Sequence, residues 1–205
     1  MAKLAIGILA AGCSKRLGRA KQLVNAGGIS LLQRQVNTAV ATGLPVTVVL
    51  SDQDEAMQMR EQLTVPTLTN QRWASGMASS IKCVVNNVQA DAWLLLTVDQ
   101  YRLDTQHLNR MIGHWQGRET TTTIVASVYD SIIGVPALIP SYYKNELNNL
   151  TGDQGAGRMI RQVQAESPHL VIELENQELR FDVDTVDDLL ALKHYFQRPN
   201  PGVQN

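Results

Sequence analysis

Leu4-Ala5-Ile6-Gly7-Ile8-Leu9-Ala10-Ala11-Gly12-Cys13-Ser14-Lys15-Arg16-Leu17-Gly18-Arg19-Ala20-Lys21-Gln22-Leu23 is the stretch from which the chain is read. Its first part is a continuous apolar run of strand length, the pattern of a parallel strand buried on both faces. The run empties into a loop of small residues that carries Arg16 and Lys21. Gly12 lets the backbone approach an anion with no side chain between them, while Ser14, the free amides, Arg16 and Lys21 supply donors and positive charge. Such a loop suits a polyphosphate. It is not a P-loop, because Gly12 and Gly18 are separated by five residues with no Lys-Ser or Lys-Thr after them, and Gly-x-Gly-x-x-Gly is absent.

A chain of 205 residues fits one large or two small domains and is long enough to bury a substantial core. The formal net charge of -1 argues against nucleic acid or an anionic membrane as the main partner, so functional positive charge must be local. No apolar run approaches the length of a membrane span. Cys13 and Cys83 have no paired spacing, which points to a reducing compartment, the cytoplasm, and to no zinc site. His107, His114, His169 and His194 lack metal-ligand spacing. Lys3 with the apolar run up to Cys13 also has the outline of a lipoprotein signal. That run is at the short end for such a signal, however, and cleavage would remove the first strand.

Farther along, short apolar runs alternate with amphipathic ones, the pattern of βα units around a largely parallel sheet. Ser30 is placed to cap a helix reaching about Thr42, with Leu31, Leu32, Val36, Ala39 and Val40 on its apolar face and Gly43 ending it. Val46–Leu50 reads as the second strand, Asp52 and Asp54 as caps of the next helix, and Pro66–Asn70 as a short third strand. Asn70-Gln71-Arg72-Trp73-Ala74-Ser75-Gly76-Met77-Ala78-Ser79-Ser80-Ile81 then reads as strand end, loop and helix start, directing the amides near Gly76 and the Ser79 and Ser80 hydroxyls toward the rim of the first loop.

Ala92–Val98 is the clearest strand and ends in Asp99-Gln100-Tyr101. A carboxylate at the carboxyl end of a central parallel strand lies in the crevice where α/β ligands bind. Beside a triphosphate it makes sense with Mg2+ between them, a hard ion that takes one or two carboxylates plus phosphate oxygens. A helix is expected over Thr105–Gln116 and a strand over Thr120–Val128. Leu147–Leu150 closes another helix, and Gly152-Asp153-Gln154-Gly155-Ala156-Gly157-Arg158 is a second glycine-rich helix start. In Leu179-Arg180-Phe181-Asp182-Val183-Asp184, period two puts Asp182 and Asp184 on one face of a strand, and two such carboxylates call for a cation. Asp187 and Asp188 open the last helix, and residues 198–205 read as a disordered tail after a domain of residues 1–197.

Leu9-Ala-Ala-Gly-Cys-Ser-Lys-Arg-Leu-Gly with Lys21 resembles the nucleotidyltransferase signature Leu-Ala-Ala-Gly-x-Ser-x-Arg-x-Gly followed by a lysine. The chain is most similar to the MobA/MocA-like family that includes the molybdenum cofactor cytidylyltransferases. Gly76-Met77 with Ser80, Asp99-Gln100, Gly134-Val135-Pro136, Gly152-Asp153 with Gly155-Ala156, and Asp182-Val-Asp184-Thr185 follow in that family's order. The resemblance implies a single Rossmann-like three-layer α/β/α domain of the GT-A kind with a mostly parallel mixed sheet. It implies transfer of CMP from CTP to a phosphorylated acceptor, molybdopterin or its molybdenum form, with release of pyrophosphate and a molybdoenzyme as a possible recipient. Leu9, Ala10, Ala11, Gly12, Ser14, Arg16, Lys21, Ser75, Gly76 and Ser80 would then bind the nucleotide, and Asp99, Asp182 and Asp184 the Mg2+. Arg16, Lys21 and Asp99 would be catalytic. Tyr101, Gly134, Pro136, Asp153 and Gly155 would face the acceptor. Ala11 favours CTP over GTP by the same resemblance. Tyr101 stands where the family has proline and Val135 where it has histidine, which leaves open another acceptor such as a sugar 1-phosphate. A cofactor carrier without turnover also stays open.

Overall fold

The three longest unbroken apolar runs, in which strand after strand lacks a polar face, can be satisfied only by burial on both sides. The structure, a computed structural model, describes residues 2–12, 17–116 and 121–197. In chain order the strands are β1 (Leu4–Leu9), β2 (Asn25–Ala26), β3 (Ile29–Ser30), β4 (Val46–Ser51), β5 (Thr67–Asn70), β6 (Ala92–Thr97), β7 (Ile124–Tyr129), β8 (Ile132–Pro140) and β9 (Val171–Glu175). The helices are α1 (Leu31–Val40), α2 (Asp54–Gln62), α3 (Met77–Asn87), α4 (Thr105–Gln116), α5 (Lys144–Asn149), α6 (Ala156–Glu166) and α7 (Val186–Gln197).

Seven strands form one sheet in the order β5-β4-β1-β6-β8-β7-β9, and β2 with β3 makes a small antiparallel pair. β1 lies in parallel between β4 and β6, with Ile8 opposite Val48 on one side and Leu96 on the other. Within this sheet β8 alone runs the other way, antiparallel to β6 and to β7. Successive side chains leave a strand on opposite faces, so the period of two sorts the core into two layers. Ile6, Ile8, Val48, Leu94 and Leu96 pack under α1, α2, α4 and α7. Leu9, Val49, Trp93 and Leu95 pack under α3, α5 and α6. The layers press close: a Cβ on Gly7 of β1 would lie 2.8 Å from a Val84 methyl of α3. The result is the expected three-layer α/β/α domain.

Local signals explain most element ends. Ser30 caps α1, its hydroxyl accepting from the Gln33 amide at 3.1 Å. Thr185 and Asp188 form a reciprocal cap at the start of α7: Asp188 Oδ2 accepts from the Thr185 amide at 2.6 Å, and the Asp188 amide donates to Thr185 Oγ1 at 3.4 Å. No helix among the described residues is long and apolar enough to cross a membrane.

Three local expectations are corrected. Val40 is 47% exposed, because the buried stripe of α1 ends at Ala39. Gln53, not Asp52, precedes the first turn of α2, and the Asp52 carboxylate instead accepts the Trp73 indole N–H at 2.7 Å. Asp182 and Asp184 lie in an irregular segment between a short 3-10 turn, Gln177–Arg180, and α7, not on a strand. The neighbouring strand position is taken by β9, which pairs with β7. The tail 198–205 lies outside the described residues.

Candidate active site at the carboxyl ends of the central strands

Because β1 and β6 are parallel neighbours, their carboxyl ends open on one rim, and the loops leaving them must share it. A cleft of about 670 Å³ lies there. Leu9 at the end of β1, Ala11 and Gly12 just beyond it, and Thr97, Val98 and Asp99 at the end of β6, form its floor. Lys21 and Gln22 enter from the turn at Lys21–Leu23, and Trp73, Ala74, Gly76, Met77 and Ser80 from the start of α3. Asp153 and Asp184 close the remaining side.

One carboxylate oxygen from each of Asp99, Asp182 and Asp184 lies within 4.8 Å of the others. The Lys21 ammonium reaches into this group, donating to Asp99 Oδ2 at 3.0 Å and to Asp184 Oδ1 at 2.5 Å. Three acids on one spot, from two distant parts of the chain, form a hard oxygen donor set of the kind that holds a divalent cation beside phosphate oxygens.

The model of the MobA-like NTP transferase domain matches residues 6–168, a span that begins in β1 and takes in the cleft up to Asp153. The chain belongs to that family. The molybdenum cofactor cytidylyltransferase of Escherichia coli K12 is 23% identical over 194 residues, which cover 92% of this chain and 95% of that protein. Rv0371c of Mycobacterium tuberculosis H37Rv superposes with a TM-score of 0.75 at 25% identity, over 94% of this chain and 98% of that one. The same mycobacterial protein is also known in complex with manganese, with a TM-score of 0.73 at 22% identity over 93% and 97% of the two chains. A nucleotidyl transferase from Methanothermobacter thermautotroptrophicus superposes with a TM-score of 0.80 at 18% identity, over 97% and 99%. The chain is a nucleotidyltransferase of the MobA and cytidylyltransferase kind.

Within this MobA-like domain the expected site residues divide. Leu9, Ala11, Gly12, Lys21, Gly76, Ser80, Asp99, Asp153 and Asp184 line the cleft, with Asp182 at its carboxylate group. Ser14 and Arg16 lie outside the described residues. Ala10 turns its methyl to the opposite core layer, and its amide donates to Val49 O at 2.9 Å. Ser75 is exposed and its hydroxyl donates to Arg72 O at 2.7 Å. Ser80 is buried and accepts from Asn70 Nδ2 at 3.1 Å, so Asn70 orients the hydroxyl that faces the cleft.

Gly76 joins two of the walls. Its φ is +102°, and a Cβ there would lie 2.3 Å from the Gly152 carbonyl carbon and 2.6 Å from Asp153 Oδ1. The Ala78 amide donates to Gly152 O at 3.1 Å. The two glycine-rich segments therefore interlock, and Gly155 is the residue preceding α6, facing Met77.

Tyr101 is a correction: it does not face the cleft. It is 3% exposed and packs edge-on against Tyr195 of α7 at 5.4 Å between centroids, since its apolar ring is better satisfied by that aromatic layer. Gly134 and Pro136 belong to β8, where residues 135 and 136 form an extra bulge against β7. The Val135 carbonyl accepts from Gln100 Nε2 at 3.0 Å and the Pro136 carbonyl from Ser127 Oγ at 2.8 Å.

Trp73 and Tyr129 escaped the reading of the chain. Trp73 stands in the cleft wall with its indole N–H on Asp52. Tyr129 ends β7, and its hydroxyl would lie 3.4 Å from a Cβ on Gly134. Burial, then the negative charge of Asp99 and Asp182, raises its pKa above the ordinary tyrosine value. Only Trp73 carried a usable signal, an aromatic residue in a loop at the ligand rim.

The charges are mutually dependent. Burial lowers the pKa of Lys21, and the Asp99 and Asp184 carboxylates overcome this and hold it above the usual lysine value. Asp182 is raised by burial and by repulsion from Asp99 and Asp184, partly opposed by Lys21. Asp188 is lowered: burial acts against this, but the Thr185 hydroxyl and the Thr185 and Asp184 amides all donate to it.

Proposed function

We propose that this nucleotidyltransferase moves CMP from CTP to a phosphorylated acceptor and depends on a divalent cation, Mg2+ in the cell. The observation that carries this reading is the meeting of Lys21 with Asp99, Asp182 and Asp184 at the cleft between the strand ends. The manganese complex of the mycobacterial protein supports a divalent ion in this fold. A cation bound to these carboxylates would neutralise the triphosphate and the leaving pyrophosphate.

An acceptor phosphate oxygen forms a bond to the α-phosphorus as the bond to pyrophosphate breaks, so no covalent enzyme intermediate is needed. Lys21 leaves its carboxylates to hold the polyphosphate and stabilise the departing charge, and Arg16 adds a second positive group from the same loop. Gly12 admits the phosphates to the backbone amides, and Ala11 and Trp73 bound the space for the base. Alignment and charge neutralisation supply the rate. Asp153 of the cleft wall, together with Gly155, Gly134 and Pro136, is assigned to the acceptor.

The Escherichia coli relative makes molybdopterin or molybdenum cofactor the first acceptor to try, with a molybdoenzyme as recipient. Val135 in place of the family's histidine favours testing sugar 1-phosphates as well. The test is pyrophosphate release with CTP, GTP, UTP and ATP, each acceptor and Mg2+. Release with CTP that falls about 10²- to 10³-fold in Lys21→Ala and Asp99→Ala is expected. Saturable CTP binding without pyrophosphate under any pairing would instead make the chain a carrier.

A further inference from the structure

The three carboxylates come from two loops far apart in sequence, and something must keep those loops in register. Asp99 belongs to the turn after β6, and Asp182 and Asp184 to the segment before α7. Arg102 lies three residues past Asp99. Its Nη1 donates to Glu178 Oε2 at 2.8 Å, and its guanidinium carbon sits 3.5 Å from the centre of the Phe181 ring, directly before Asp182. Its other neighbours are Tyr195 of α7, at 4.5 Å, and Tyr101, at 5.5 Å.

We infer that Arg102 is a positioning residue which sets the spacing of Asp99 against Asp182 and Asp184 and so shapes the divalent-ion site. This rests on the proposed function. The guanidinium is suited to the task because it offers a flat face to the rings and a directed N–H to the carboxylate at once. The ring contacts resist sliding of one loop over the other, and the Glu178 bond fixes the rotation. The far side of the acidic segment is pinned separately, by the Asp184 amide donating to Asp188 Oδ2 at 2.9 Å. With both ends held, the carboxylates stay gathered despite their repulsion. Groups that orient ligands without touching the ion typically matter about 10- to 100-fold in metal affinity.

The test is Mn2+ binding to the full chain in the presence of CTP, followed by electron paramagnetic resonance of free Mn2+. Wild type is compared with Arg102→Ala, Arg102→Lys and Glu178→Gln, alongside CTP binding in EDTA by calorimetry and thermal melting. Arg102→Ala should weaken Mn2+ binding about 10- to 100-fold while leaving metal-free CTP affinity unchanged. Arg102→Lys keeps the pair with Glu178 but not the flat stack, and should fall between. A folded Arg102→Ala with wild-type Mn2+ affinity overturns the inference, as does an equal loss of metal-free CTP affinity. If Arg102→Ala does not fold, wild-type Mn2+ affinity in Arg102→Lys overturns it. A wild type that binds no Mn2+ overturns the proposed function and the clamp together, whereas binding that all variants match overturns the clamp alone.

Discussion

Lys21 Nζ lies 2.5 Å from Asp184 Oδ1 and 3.0 Å from Asp99 Oδ2, so the protein's own ammonium neutralises the carboxylates that a divalent ion would use. Replacing Lys21 by methionine keeps the length and removes the charge. The side chains are 10%, 21% and 30% exposed, between a surface pair and a fully buried one, so the loss should be about 1–3 kcal/mol. Thermal melting should show the variant below wild type without metal. Added Mn2+ should restore it by a larger shift than wild type gains, since the ion then meets uncompensated acids. An equal Mn2+ shift in both proteins would contradict a shared cation site.

Gly76 and Gly12 should separate folding from binding. Gly76→Ala puts a methyl into the Gly152 backbone at a φ of +102° and should cost about 2–4 kcal/mol, with a Tm drop on the order of 10 °C. Gly12→Ala meets nothing within 4 Å and should melt like wild type, yet bind CTP more weakly because the methyl stands where phosphate approaches. Melting curves and CTP titration read both; equal CTP affinity in Gly12→Ala would place the phosphates elsewhere.

His107 gives the fold an acid limit. Burial, then the neighbouring Arg110 guanidinium, lower its pKa to about 4 from an ordinary 6.5, with Asp104 opposing. Its Nε2 faces Ser127 Oγ at 2.8 Å and its Nδ1 faces Arg110 at 3.0 Å. The unfolded chain takes up this proton first, so the stability from keeping His107 neutral is present above pH 6.5 and is lost as pH falls toward about 4. The total is about 3 kcal/mol. Urea unfolding across that window should show the decline, and His107→Gln should flatten it.

The three tryptophans allow an optical test. Trp93 and Trp115 are buried at 2% and 6% exposure, while Trp73 lines the cleft. CTP should change intrinsic fluorescence, and Trp73→Phe should abolish the change while the protein stays folded. A full signal in that variant would move the base away from this wall.

Much of this site can be read along the chain because it hangs on short local patterns. The β1 loop, Asp99 after the apolar run of β6, and α4 over Thr105–Gln116 all follow from runs and caps close in sequence. Asp182 and Asp184 do meet Asp99, though from an irregular segment where their period of two suggests a strand. The motif places Tyr101 at the acceptor, but its surroundings are Tyr195 and Phe196, almost a hundred residues away. Tyr129 pairs with Ile132 at the end of the β7–β8 hairpin, a placement that its own sequence neighbourhood does not announce.

The most direct measurement is anomalous diffraction from Mn2+ in crystals grown with CTP. The account predicts a manganese peak bonded to Asp99 and to Asp182 or Asp184, with Lys21 moved onto the phosphates. A peak remote from these carboxylates, with Lys21 still bridging Asp99 and Asp184, would contradict it.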